Sequence, residues 1–137
     1  PDVHILLFGG IKEQEKLLLI KEKSNNISVV AGIAGGLNTE LAIIEKLDLM
    51  VCLDSGNMHL AALLGVKVLA LFGPTHPFLG FAPYLQIEGV VQLDHLACRP
   101  CTVFGNTTCY RGDHACMHGI SVDMVMHRIS QELLHSH

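Results

Sequence analysis

Four short apolar runs, each halted by a turn signal and followed by a helical pattern, constrain the fold more than any other feature. Residues 3–8 stop at Gly9-Gly10, 27–31 at Gly32, 49–53 at Asp54-Ser55-Gly56, and 66–72 at Gly73-Pro74. Between them, residues 11–23 set Leu17, Leu18 and Ile20 among Lys and Glu, and residues 40–46 carry Leu41, Ile44 and then Leu47 at helical spacing, with Asn38 or Thr39 as the cap. Residues 57–64 form a third helical stretch, closed by Gly65. This β-α-β-α-β-α-β order predicts right-handed parallel crossovers and an open α/β sheet. The run 49–53 is almost wholly apolar, as expected of a parallel strand covered on both faces. Beyond residue 72 the pattern loosens. Residues 90–93 predict a fifth strand, 97–119 a Cys-rich loop, and 122–134 a helix carrying Val125, Ile129 and Leu133.

Composition sets limits on function. The 137 residues are 50% apolar and 16% charged, with a mean hydropathy of +0.41, which excludes a disordered chain. A net charge of −4 leaves no broad basic surface for nucleic acid, so any phosphate recognition has to be local. The longest apolar stretch, 60–74, is broken by Gly65 and Lys67 and falls short of the ~20 residues a membrane span needs. No basic leader precedes the run at 5–8, so no signal peptide is expected. Opening at Pro1 directly on a strand suits one domain, residues 1–137, cut from a longer polypeptide.

Open parallel sheets gather ligands at the carboxyl ends of their strands, where helix N-termini offer free amides to anions. Four loops lie at that edge: Gly9-Gly10, residues 32–38, Asp54-Ser55-Gly56, and Gly73-Pro74-Thr75. The sharpest is Asp54-Ser55-Gly56-Asn57-Met58-His59. A helix starting near Ser55 places Ser55 and His59 one turn apart on one face at its positive end. The Ser55 hydroxyl with the Ser55 and Gly56 amides then suits a diphosphate, with His59 as a further donor. Asp54 would repel phosphate and suits helix amides or sugar hydroxyls better. The alternative is ordinary Asp or Ser capping ahead of a core helix, with His59 a half-buried polar residue.

Leu37-Asn38-Thr39-Glu40-Leu41, then Asp54-Ser55-Gly56-Asn57-Met58-His59-Leu60-Ala61, then Phe72-Gly73-Pro74-Thr75-His76-Pro77, resemble the C-terminal half of glycosyltransferase family 9, the heptosyltransferases of lipopolysaccharide core assembly. The resemblance implies a Rossmann-like domain with helices on both faces, one half of a GT-B enzyme, holding a nucleotide-sugar donor, usually ADP-heptose. On the matched positions, Ser55, Gly56 and His59 would contact the donor diphosphate, Asp54 would sit beside the sugar, and Leu37 would lie near the base. Glu13 is the candidate for the ribose hydroxyls, or else a solvated helix-start Glu. Thr75 would close over the phosphates, or is a simple turn residue.

The implied reaction is inverting glycosyl transfer to a lipid-linked glycan acceptor, without an obligatory metal, in the cytoplasm at the inner membrane leaflet. The general base would be an Asp of an N-terminal domain outside this chain, so these residues alone would not turn over. A non-catalytic nucleotide- or metal-binding module on the same fold is the competing expectation.

Four of the five Cys fall in one window: Cys98, Cys101, Cys109 and Cys116. A Cys-x2-Cys pair with two later Cys fits a tetrahedral thiolate zinc site, an iron–sulfur site, disulfides or simply packed thiols. The absence of a second Cys-x2-Cys favours the last. Cys52, inside a strand, reads as core.

Overall fold

The computed structural model describes residues 3–134. The fold is mixed α/β, with open parallel sheets flanked by helices, consistent with a Rossmann-like half of a GT-B fold. The chain divides into two compact units between Ile43 and Ile44.

In the first unit β1 (Ile5–Leu7) pairs in parallel with β2 (Ile27–Val29), Ile5 opposite Ile27 and Leu7 opposite Val29. The crossover is a single 3-10 turn, Ile11–Glu13, leading into α1 (Gln14–Lys21). The Gln14 amide donates to the Ala31 carbonyl at 3.2 Å and so ties the start of α1 to the loop after β2. The next helix, α2 (Gly36–Ile44), begins earlier than expected, and Asn38 and Thr39 lie inside it rather than capping it. The left-handed backbones of Gly35 (φ +103°) and Gly36 (φ +59°) turn the chain into the helix, a conformation side chains disfavour, so the glycines and not the polar residues set the start.

In the second unit β3 (Met50–Leu53), β4 (Val68–Leu71) and β5 (Val90–Val91) form a parallel sheet in the order β3-β4-β5. Met50 stands opposite Val68, Leu53 opposite Leu71, and Leu71 opposite Val91. The crossover α3 (Gly56–Leu63) packs on β3 and β4 through its buried Met58, Ala61 and Ala62. Its C-terminus is closed by Gly65 at φ +76°. There the Gly65 N–H reaches Ala62 O at 3.2 Å and the Val66 N–H reaches Ala61 O at 3.0 Å, the paired bonds of a Schellman motif.

The central strand β4 is the core of this unit, with Val68, Leu69 and Ala70 buried and Phe72 fully enclosed just after it. β3 departs from the expected two-sided cover. Met50 is buried, but Val51 is 41% and Leu53 53% exposed, because an outer strand covered on one face alternates with period two.

β5 is only two residues long, shorter than the expected 90–93. Ahead of it the Gln86 side chain substitutes for a strand, accepting from Val68 N–H and donating to Val66 O, both at 2.8 Å. The segment 97–119 is irregular as expected except for one short helix, α4 (Ala115–His118). The last helix, α5 (Val122–Leu134), has the expected bounds. Its first turn is capped by the Ser121 hydroxyl, which accepts from Met124 N–H at 3.2 Å, and its far end is tied to the sheet by Lys67 Nζ donating to Glu132 O at 3.0 Å.

Candidate functional site

The segments that follow β3 and β4 leave the sheet side by side, since Leu53 and Leu71 are register partners and neighbouring strands lie about 4.8 Å apart. The first holds Asp54, Ser55, Gly56 and His59, the second Gly73, Pro74 and Thr75. The sheet thus brings five of the seven expected site residues to one edge.

Ser55 occupies the N-cap of α3 with extended backbone, φ −151° and ψ 167°, yet its hydroxyl makes no capping bond. The Met58 N–H instead reaches the Ser55 carbonyl at 3.2 Å. Ordinary capping chemistry therefore accounts for the backbone of Ser55 but not for its side chain, which an N-cap serine usually directs to the N2 or N3 amide. The amides of Gly56 and Asn57 belong to the helix-start donors that have no acceptor within a helix. Gly56 has neither a positive φ nor a crowding neighbour: a Cβ built there meets nothing within 4 Å. Protein packing gives no reason for a glycine at this position. Among the described residues, no hydrogen bond engages the Asp54 carboxylate or the His59 ring. Asp54 is half-buried and acts on Cys52, whose thiol is pushed up to about 12, first by burial and then by that carboxylate.

The turn after β4 is held by a residue the sequence reading passed over. Arg99, the only Lys or Arg between Lys67 and Arg111, directs its half-buried guanidinium into a ring of neutral oxygens. Nη2 donates to Phe72 O at 3.0 Å, Thr75 O at 2.9 Å and Gln92 Oε1 at 3.1 Å, Nη1 to Leu93 O at 3.0 Å, and Nε to Gly73 O. The Cys101 N–H takes the remaining carbonyl of the turn, Pro74 O, at 2.8 Å. Burial lowers the Arg99 pKa from its ordinary value, and a guanidinium starting so high stays charged. Its isolation among residues 68–110, which hold no other Lys or Arg, was the available signal. Gly73 is required by close approach, because a Cβ there would run into the Met117 thioether on α4. Thr75 is 5% exposed, with its carbonyl held by Arg99 and its side chain packed where Gly105 leaves room.

Glu13 and Leu37 lie in the first unit. The Glu13 carboxylate accepts from Gly10 N–H at 2.9 Å and closes the 3-10 turn before α1, the helix-start role that its position allowed. Leu37 is 57% exposed in the first turn of α2.

All five cysteines are free thiols. Among the described residues no group of three or more His, Cys, Asp or Glu is arranged to hold a metal ion. Burial, then the neighbouring Cys116, Cys98 and Cys109, raise the Cys101 pKa, whereas backbone donors, the His114 N–H foremost, lower that of Cys109. Cys52 is half-buried in β3, and Cys116 alone of the five is buried.

No helix among the described residues is long and apolar enough to cross a membrane. The family profile described as Glycosyltransferase family 9 (heptosyltransferase) matches residues 2–110. A lipooligosaccharide heptosyltransferase 2 of Campylobacter jejuni subsp. jejuni serotype O:2 is 32% identical over 97% of this chain and 42% of its own length. The protein of the same name from serotype O:6 is 31% identical over 93% of this chain and 40% of its own. The chain thus spans about two fifths of the length of these curated relatives. No solved structure matches it.

Proposed function

The chain belongs to glycosyltransferase family 9, and from that premise we propose that it is the C-terminal, donor-binding half of an inverting heptosyltransferase that takes a nucleotide-sugar, ADP-heptose, as its donor. The observation that carries the reading is the start of α3, where an uncapped Ser55 hydroxyl, helix-start amides and an uncrowded Gly56 face open space. In this reading the Gly56 and Asn57 amides and the Ser55 hydroxyl hold the diphosphate, and His59, one turn on, donates to it. Asp54 accepts from hydroxyls of the transferred sugar, and Thr75 closes the phosphate side.

The chemistry follows from those donors. An acceptor hydroxyl attacks the anomeric carbon, the bond to the diphosphate breaks, and negative charge grows on the departing phosphate oxygen. Fixed amide dipoles aimed at that oxygen stabilise it without reorganising, and this electrostatic preorganisation is commonly the largest part of such catalysis. A donor set of this kind needs no metal. The base that takes the acceptor proton belongs to an N-terminal domain outside this chain, which also receives a lipid-linked glycan at the cytoplasmic face of the inner membrane.

Calorimetric titration with ADP and UDP tests the site. The parent chain is expected to take up ADP weakly, and Asp54→Ala and His59→Ala to weaken it further with unchanged melting midpoints. Binding by both variants equal to the parent's would show that the donor lies elsewhere.

A further inference from the structure

In a trans peptide the carbonyl of one residue and the N–H of the next point in opposite directions. The carbonyls of Phe72, Pro74 and Thr75 are drawn to the Cys-rich segment by Arg99 Nη2, the Cys101 N–H and Arg99 Nη2 again, at 3.0, 2.8 and 2.9 Å. The N–H groups of Gly73, Thr75 and His76 therefore point away from that segment. None of the three has an acceptor among the described residues. Gly73 and Thr75 are buried residues, and the great majority of buried backbone donors are paired, so two unpaired ones in a single turn mark a place where a ligand oxygen or ordered water belongs.

Charge points the same way. Arg99 spends its donors on backbone carbonyls and the Gln92 amide, all neutral acceptors, and makes no ion pair among the described residues. A half-buried cation whose direct contacts are all neutral is costly to desolvate and favours an anion nearby, in addition to the Asp94 carboxylate that acts on it through space. The rest of the segment braces the same turn: Gly105 at φ +64° lies so close that a Cβ there would come within 3.0 Å of Pro74 and Thr75, and Met117 lies over Gly73.

We propose that Arg99 is a positioning residue: by locking the carbonyls of the turn after β4, it presents the Gly73, Thr75 and His76 amides as a second set of donors to the diphosphate at the start of α3. This rests on the donor-binding reading above. It also assigns the Cys-rich segment a task that needs no metal, as the strap that carries Arg99 and Cys101 to the turn.

The test is an amide-resolved NMR titration of the 15N-labelled chain with ADP, and with adenosine as the probe lacking phosphate, on the parent, Arg99→Met and Arg99→Lys. ADP is expected to shift Gly73, Thr75 and His76 together with Ser55 and Gly56, and adenosine to leave the turn amides unmoved. Both variants are expected to bind ADP at least tenfold more weakly with adenosine binding unchanged, because one ammonium cannot hold the Phe72 and Thr75 carbonyls that Nη2 takes together with those of Gly73 and Leu93 that Nε and Nη1 take. If ADP moves Ser55 and Gly56 but not the turn, or the variants weaken ADP and adenosine equally, the role of Arg99 is overturned and the donor site stands. If ADP moves neither segment, both readings fall. Should Arg99→Met lose its dispersed spectrum, Arg99→Lys and the parent's shifts decide.

Discussion

Replacing Gly56 by alanine separates stability from binding with a single methyl group. The added Cβ meets no protein atom within 4 Å, and the backbone at this position is not in the left-handed region. The substitution removes unfolded-state freedom at no native cost and should stabilise the chain by about 0.4–1 kcal/mol. Unfolding entropy of ~2.1 cal/mol/K per residue over 137 residues converts that to a rise of about 1.5–3.5 °C in melting midpoint. The same methyl stands over the first free amides of α3. If a phosphate oxygen approaches there, the loss of one hydrogen bond to a charged group, worth ~1.5–3 kcal/mol, weakens ADP roughly ten- to hundredfold. Circular dichroism melting and calorimetric titration read the two effects separately. A higher midpoint with unchanged ADP affinity would refute the close approach of donor to Gly56. A lower midpoint would refute the open space above it.

Three further outcomes follow from the geometry. Gln86→Leu should cost about 1–3 kcal/mol in urea unfolding, because it strips partners from the Val68 N–H and Val66 carbonyl together; a loss under 0.5 kcal/mol, well below that range, would show that β4 does not need this false strand. Thiolate is the reactive form, so alkylation at pH 8, followed by mass spectrometry, should modify Cys109, with its lowered pKa, before Cys101, and leave Cys52, at about 12, for last; Cys52 reacting first would contradict its environment. The exposed Asp113, held down to about 2 chiefly by its hydrogen bond from Arg111, favours the folded state above the ordinary carboxylate pKa and loses that contribution as pH falls through about 2. NMR titration of its carboxyl should show that midpoint, and Arg111→Ala should return it towards the ordinary value.

Much of the fold was legible because it rests on local periodicity. The helix at 122–134 has its expected bounds, the glycine after α3 closes it as its position implied, and the turn signals at Asp54 and Gly73 end their strands. The misreadings share one cause. Asn38 and Thr39 are good caps by residue type, but two left-handed glycines start α2 ahead of them. Leu49–Leu53 reads as doubly covered, but position in the sheet, which no local pattern encodes, leaves Val51 and Leu53 exposed.

By itself the sequence determined the parallel α/β character and the strand ends at which the helix starts gather, since both follow from the alternation of apolar runs, glycines and helical faces. It also marked Asp54-Ser55-Gly56-Asn57-Met58-His59 as a helix start rich in anion donors. Only the tertiary structure decided that the Ser55 hydroxyl is left uncapped, that β3 and β4 bring this helix start beside the turn at 72–75, and that Arg99 reaches back 24 to 27 residues to hold that turn's carbonyls. Hydrogen bonds to backbone oxygens leave no trace in residue type at the accepting end. A clamp of this sort becomes visible only when the chain has brought its two sides together.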